Sequence, residues 1–219
     1  MSAVIFDLDG VLVDSRAAIS GAMNHALGAN GFPRRSAAEL YRFIGPPLAL
    51  GFAELTGQPA DSAAVVACVL AYRERYAVTS LTETVVFPGI AEALDELARH
   101  HRLAVATSKV RALAEPLLAA LGLRERFDVV AGPDLGALAE DKATTIGAAL
   151  AALAALGAER GVMVGDRSFD VVGARANGLA AIGVTWGIGS VEELTTAGAD
   201  AIVDEPAGLP KTVGRLIVG

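Results

Sequence analysis

Six short, nearly unbroken apolar runs punctuate this chain, at residues 3–6, 103–106, 127–131, 161–164, 180–184 and 201–203. Runs of this length without apolar–polar alternation fit strands buried on both faces, as in a parallel sheet. Helical patterns lie between them. Ile90, Ala93, Leu94 and Leu97 recur at helical spacing, as do Leu113, Leu117 and Leu121, and then Ile146, Leu150, Leu153 and Leu156. Gly122 and Gly157 stand where helix C-terminal caps are expected. Strand and helix alternate over residues 86–219, which predicts an α/β fold: a doubly wound, mostly parallel sheet with helices on both faces.

One stretch breaks that alternation. Residues 15–85 contain no good strand, only amphipathic helical patterns at 17–27, 37–44, 48–55 and 61–76. The last of these has Val65, Val66, Val69 and Leu70 as its apolar stripe. An insertion of roughly 70 residues after the first strand far exceeds an ordinary βα connection. It is read as an inserted all-helical cap domain at 15–85, with residues 1–14 and 86–219 forming the α/β core. Gly45-Pro46-Pro47 interrupts the cap helices, either as a rigid turn facing a ligand or as a plain helix break.

Composition narrows the range of partners. Just over half of the 219 residues are apolar, so a substantial core is available. The formal charge is -7 and the basic residues are scattered, which argues against a nucleic-acid partner. The single cysteine, Cys68, excludes a disulfide framework and a thiolate-rich metal site, and reads as a small buried hydrophobe. The N-terminus has no basic segment leading into an apolar one, and the longest uncharged stretch, 143–158, is too short to span a bilayer. A soluble cytoplasmic protein without membrane partners is the expectation.

Chemistry-bearing residues collect at strand ends. The first run halts at Asp7, the second at Thr107 and the fourth at Gly165-Asp166. Ligands of open parallel sheets bind outside the carboxyl ends of the strands, so three independent runs direct polar groups to one edge. In Asp7-Leu8-Asp9-Gly10, extended geometry would turn Asp7 and Asp9 to the same side, and Gly10 permits a sharp turn; Asp-Gly also suits an ordinary strand-end turn. Asp170, four residues after Asp166, shares its face if a helix begins near Ser168, where an acid also suits the helix dipole. Four carboxylates from distant segments would suit a hard cation with oxygen ligands, and Mg²⁺ fits best. Thr107-Ser108-Lys109, read as the start of a helix, offers two hydroxyls and backbone N–H groups for a phosphate oxygen, or a plain N-cap. Lys142 follows Asp141 at another helix start, as a surface lysine or as a cation reaching both Asp7 and a bound phosphate.

Taken in order, these elements resemble the haloacid dehalogenase superfamily of phosphatases, and the resemblance runs the length of the chain. Motif one resembles Asp7-Leu8-Asp9-Gly10-Val11-Leu12-Val13-Asp14-Ser15, motif two Thr107, motif three Lys142, and motif four Gly165-Asp166 with Asp170. Phe43-Ile44-Gly45-Pro46-Pro47-Leu48 and Gly183-Val184-Thr185-Trp186-Gly187 resemble a phosphoglycolate phosphatase-like branch. The resemblance implies a Rossmann-like core and hydrolysis of a small phosphorylated metabolite. It implies Asp7 as nucleophile and Asp9 as acid and base. Mg²⁺ would be held by Asp7, Asp166 and the Asp9 backbone carbonyl, with Asp170 in support. Thr107, Ser108, Lys142 and Gly10 would bind the phosphoryl oxygens. A phosphomutase or a nucleotidase on the same scaffold are the alternatives; a non-catalytic binding protein should lack one of Asp7, Asp9, Lys142 or Asp166, and none is missing. Monomer and homodimer both remain open, and Arg167 is left between substrate contact and surface.

Overall fold

The computed structural model describes residues 1–135, 141–158 and 160–218. β1 (Ser2–Phe6) is followed by a tight loop and β2 (Val13–Asp14). Four helices come next: α1 (Arg16–Ala29), α2 (Ala37–Tyr41), α3 (Leu48–Thr56) and α4 (Ala63–Glu83). β3 (Val85–Val86) pairs antiparallel with β2, so the chain leaves and re-enters the sheet region at neighbouring points. The remainder alternates: α5 (Ile90–Leu97), β4 (His101–Ala106), α6 (Arg111–Ala120), β5 (Val129–Ala131), α7 (Lys142–Ala155), β6 (Arg160–Gly165), α8 (Ser168–Ala176), β7 (Ala180–Val184), α9 (Val191–Ala197), β8 (Ala201–Val203) and α10 (Leu209–Val218).

The six apolar runs become one sheet in the order β5-β4-β1-β6-β7-β8, every neighbouring pair parallel. Burial on both faces explains their unbroken apolar character. Along β1, Val4 and Phe6 enter a core completed by Ile90, Leu94, Leu117 and Val213, from α5, α6 and α10. Ala3 and Ile5 point the other way, against Ile146, Leu153, Val171 and Leu194 of α7, α8 and α9. The sheet is therefore doubly wound, and its strand order reverses beside β1, where such sheets form their ligand crevice. Gly122 and Gly157 adopt φ of 70° and 86° just past α6 and α7, the left-handed closures expected of them.

Register fixes the site edge. Phe6 lies opposite Val105 and Val164, so β1, β4 and β6 end level with one another. The Asp7 N–H then bonds the Val164 carbonyl at 2.9 Å, and the Thr107 N–H bonds the Ala131 carbonyl at 3.0 Å. Both residues are anchored by sheet hydrogen bonds although they lie beyond the strands.

α1 to α4 share a separate apolar core that includes Ile19, Met23, Leu40, Phe52, Val69 and Tyr76. Two helix boundaries differ from expectation. α2 stops at Tyr41 rather than 44, because the chain tightens through i→i+3 bonds (Phe43 N–H to Leu40, Ile44 N–H to Tyr41) before Gly45-Pro46-Pro47, where proline disfavours helix. α4 runs to Glu83, and its buried stripe is Val65, Cys68, Val69, Tyr72 and Tyr76, while Leu70 faces solvent. Its last turns bury Thr79 and Ser80, polar residues that apolar periodicity does not register. Cys68 is buried, as its small apolar character suggests. Among the described residues no helix is long and apolar enough to cross a membrane.

Candidate active site

The level strand ends bring Asp7, Asp166 and Asp170 together, with one carboxylate oxygen of each within 4.8 Å of the others. All three are buried. Asp7 follows β1 and Asp166 follows β6. Asp170 sits in the first turn of α8, where its Oδ2 accepts the Arg167 N–H at 3.1 Å. That turn folds back so tightly that a Cβ on Gly165 would lie 2.1 Å from the Cβ of Asp170, so only glycine fits there.

Lys142 enters the same cluster from the N-terminus of α7. Its ammonium lies 2.7 Å from Asp7 Oδ1 and 2.9 Å from Asp170 Oδ1. Asp141 caps that helix by accepting the Thr144 N–H at 2.7 Å, which offsets the poor fit of a cation to the first turn. Burial acts against the Lys142 ammonium, but Asp170 and Asp7 outweigh it and hold its pKa above the ordinary lysine value. Burial pushes the Asp7 carboxyl up to about 7; Lys142 opposes the rise, and Asp170 and Asp9 add to it. Asp166 is held well above the ordinary aspartate value, by burial first and then by Asp170 and Asp7, with the Ile188 N–H acting the other way.

Of these three buried carboxylates, Lys142 pairs with Asp7 and Asp170, and Asp166 stands beside them outside that pairing. Asp166 Oδ2 accepts the Ile188 N–H at 2.7 Å, while Oδ1 is buried with no hydrogen-bond partner among the described residues. A buried, unsatisfied carboxylate oxygen beside two further carboxylates is costly unless a cation sits against it. The donor set is all oxygen, which fits a hard divalent ion such as Mg²⁺.

Asp9 does not join this cluster. Its side chain pairs with Lys109, whose Nζ lies 2.6 Å from Oδ1 and 2.7 Å from Oδ2. The expected gathering of four carboxylates is corrected to three. The same-side rule needs extended backbone, and β1 ends at Phe6; the Leu8 carbonyl already accepts the N–H groups of Leu12 and Val13. Gly10 is also corrected. Its N–H is committed to the Val13 carbonyl at 2.9 Å and does not point to a phosphate. Its value is steric: with φ of 87°, a Cβ there would lie 2.2 Å from Asp166 Oδ2.

Thr107 and Ser108 lie in the loop between β4 and α6, not at a helix start, because α6 begins only at Arg111. Thr107 Oγ1 accepts the Lys109 N–H at 3.1 Å, which shapes the loop and leaves the hydroxyl proton for an oxygen in the cleft. One cleft is lined by Asp7, Asp9, Thr107, Ser108 and Lys109 together with Gly45-Pro46-Pro47.

The sequence reading names Lys109 only as the last residue of Thr107-Ser108-Lys109, with no role for its ammonium, and gives Tyr76 none; yet Lys109 donates to the Tyr76 hydroxyl at 2.6 Å, joining the sheet to α4. The only sequence signal was the position of Lys109 two residues beyond Thr107. Arg167 neither faces the cleft nor lies free on the surface. Its Nη1 donates to the Ile44 carbonyl at 2.6 Å and its Nε to Glu193 at 3.0 Å, a strut from the Asp166 loop to the helical insertion. Trp186 packs on the core and donates its Nε1–H to the Val11 carbonyl at 3.0 Å, pinning the loop that carries Asp9.

Known proteins resemble this chain in sequence and in fold. Residues 4–184 match the family described as haloacid dehalogenase-like hydrolase. A 5'-nucleotidase from Pseudomonas aeruginosa is 40% identical over 192 residues, 87% of this chain and 86% of that protein. A plasmid-encoded phosphoglycolate phosphatase from Cupriavidus necator is 37% identical, covering 95% of this chain and 91% of that one. The crystal structure of a predicted phosphatase from Clostridium acetobutylicum superimposes with a TM-score of 0.89 at 33% identity, covering 98% and 99% of the two chains. With its doubly wound sheet and these relatives, the chain belongs to the haloacid dehalogenase-like hydrolases, in their phosphoglycolate phosphatase-like branch.

Proposed function

We propose that the protein is a cytoplasmic, magnesium-dependent phosphatase that cleaves a small phosphate monoester through an aspartyl-phosphate on Asp7. The observation that carries this reading is Asp7 itself, a buried carboxylate between Lys142 and a second pair of buried aspartates, opening on a cleft. In the first step an Asp7 oxygen bonds to phosphorus as the ester oxygen leaves, and Asp9 gives that oxygen a proton. In the second step water attacks the phosphorus, Asp9 takes the proton, and Asp7 is released with inorganic phosphate. Lys142, the Thr107 hydroxyl and the Ser108 backbone N–H would hold the phosphoryl oxygens. Asp7, Asp166 and the Asp9 main-chain carbonyl would hold Mg²⁺, with Asp170 positioning Lys142. Bound there, the ion supplies positive charge that lets a dianionic ester approach a carboxylate. The helical segment 15–85 acts as a cap that closes over the cleft and limits water. The relatives' names span phosphoglycolate and nucleotides, so family membership leaves the alcohol open.

Metal removal tests this reading. EDTA is expected to abolish phosphate release from a simple phosphate monoester, and added Mg²⁺ to restore it; undiminished activity in EDTA contradicts it. Stability adds a second readout. Asp7 rises from 3.8 in the unfolded chain to about 7 in the fold, and Asp166 moves the same way. The folded protein therefore binds more protons than the unfolded chain across that window, and metal-free stability falls as pH rises through it. Mg²⁺ is expected to raise Tm more at about pH 7 than at about pH 5, because only ionised carboxylates reward the ion. An equal Tm shift at both values argues against a carboxylate metal site.

A further inference from the structure

β1 ends at Phe6, and Asp9 stands beyond it on the curl that closes through the Leu8 carbonyl. The curl holds the main chain of Asp9 and leaves the carboxylate to be aimed by side chains. Lys109 does so from the β4–α6 loop, with Nζ 2.6 Å from Oδ1 and 2.7 Å from Oδ2. A carboxylate held at one oxygen can still swing; held at both, it keeps one orientation. The two side chains are only 6% and 11% exposed, so water screens the pair weakly.

Lys109 is itself anchored twice. Its backbone N–H donates to Thr107 Oγ1 at 3.1 Å, which shapes the loop that carries it. Its ammonium has three donors, and the one not spent on Asp9 matches the Tyr76 hydroxyl at 2.6 Å, with Nζ 4.6 Å from the centroid of that ring. Tyr76 lies on α4, fully buried and stacked on Tyr72 with centroids 5.4 Å apart, so the anchor is rigid. A chain of contacts therefore runs from the helical insertion through Tyr76 and Lys109 to Asp9, and all three line the cleft over Asp7. With three acceptors for three donors, this ammonium is committed to Asp9 and Tyr76 rather than to a phosphoryl oxygen. Lys142 stands on the other side, against Asp7 and Asp170.

A general acid works only within hydrogen-bond reach of the atom it protonates. In the transfer step the ester P–O bond breaks as an Asp7 oxygen bonds to phosphorus, and the Asp9 proton goes to the departing oxygen. The carboxylate left behind is the species that Lys109 grips.

We propose that Lys109 is the positioning residue of the acid–base step: it aims the Asp9 carboxyl at the leaving-group oxygen, and Tyr76 ties that aim to the seating of the helical insertion. This rests on the phosphatase reading above and names the device that orients its acid.

Two esters separate positioning from general damage. 2-Phenylethyl phosphate leaves as an alkoxide that needs a proton, whereas 4-nitrophenolate leaves without one. kcat/KM, read as phosphate release by the full chain with Mg²⁺, covers only the steps through phosphoryl transfer to the enzyme, so the later attack of water does not blur the comparison. Lys109→Met is expected to lower kcat/KM for the phenylethyl ester at least tenfold more than for the nitrophenyl ester, the same imbalance in kind as Asp9→Asn. In the Asp9→Asn background Lys109→Met should add no further imbalance, because the two act as one unit. Tyr76→Phe keeps the ring and the packing of α4 but removes the acceptor, and is expected to shift the ratio about threefold in the same sense. Equal losses on both esters in Lys109→Met, or an imbalance that adds to that of Asp9→Asn, overturn the proposal and leave the phosphatase reading standing. An unchanged ratio in Tyr76→Phe overturns the tie to the helical insertion. Release of phosphate from neither ester by the parent protein overturns the phosphatase reading, and the proposal with it.

Discussion

Asp7→Asn is expected to lower kcat/KM for any hydrolysed phosphate ester by about four orders of magnitude or more, the scale seen when a covalent nucleophile is removed. Asparagine matches aspartate in volume and keeps an oxygen for Lys142, so the sheet edge has no steric reason to move. The change also removes one of the two carboxylates paired with the Lys142 ammonium and one of the three that crowd together there. The metal-free variant is therefore expected to be at least as stable as the parent, and more so above the pH at which Asp7 ionises, about 7. Activity lost together with stability would mean that Asp7 serves the fold. Activity lost while Tm holds or rises is the signature of a strained catalytic carboxylate. The measurements are steady-state phosphate release and thermal unfolding, both with EDTA and with Mg²⁺.

Lys142→Met has the second largest expected effect, and its sign on stability is opposite. Methionine keeps the length of the buried side chain but removes the one ammonium within 3 Å of Asp7 and Asp170. Uncompensated buried carboxylates destabilise a fold by roughly 3–5 kcal/mol, and part of that cost is relieved by protonation. The metal-free variant should unfold at lower urea than the parent, with the deficit shrinking as pH falls through the raised carboxylate range. Activity is expected to drop by about a hundredfold to a thousandfold even with saturating Mg²⁺, because a donor to the transferring phosphoryl group is gone. Lys142→Arg is not expected to restore it, since a planar guanidinium cannot occupy the point between Asp7 and Asp170 that Nζ fills. A Lys142→Met protein with parental stability and turnover would place this lysine outside the site.

The residues readable in advance share a physical property. The six strands are legible because burial on both faces excludes polar residues from them, and the edge of the site is legible because Asp7, Thr107 and Asp166 stand where three such runs stop. Lys142 and Asp170 were visible through their spacing and helix starts, although nothing in the sequence states that one ammonium spans both Asp7 and Asp170. The rest depends on backbone geometry that side-chain type does not encode. Asp9 turns to Lys109 because the chain curls after Phe6, where alternation no longer applies. Gly10 spends its N–H inside that curl. The strut from Arg167 to the Ile44 carbonyl joins positions 123 residues apart through a main-chain acceptor, which no residue identity reveals. The end of α4 was hidden for a different reason: Thr79 and Ser80 are buried there despite being polar.

Borohydride added during turnover probes the covalent step itself, because it reduces an acyl phosphate to the alcohol and leaves a free carboxylate untouched. Peptide mass spectrometry of protein quenched this way in the presence of ester and Mg²⁺ is expected to show homoserine at position 7, absent without ester and absent in Asp7→Asn. Steady phosphate release with no reduced residue at position 7, or with homoserine at another aspartate, would contradict Asp7 as the group that takes the phosphoryl.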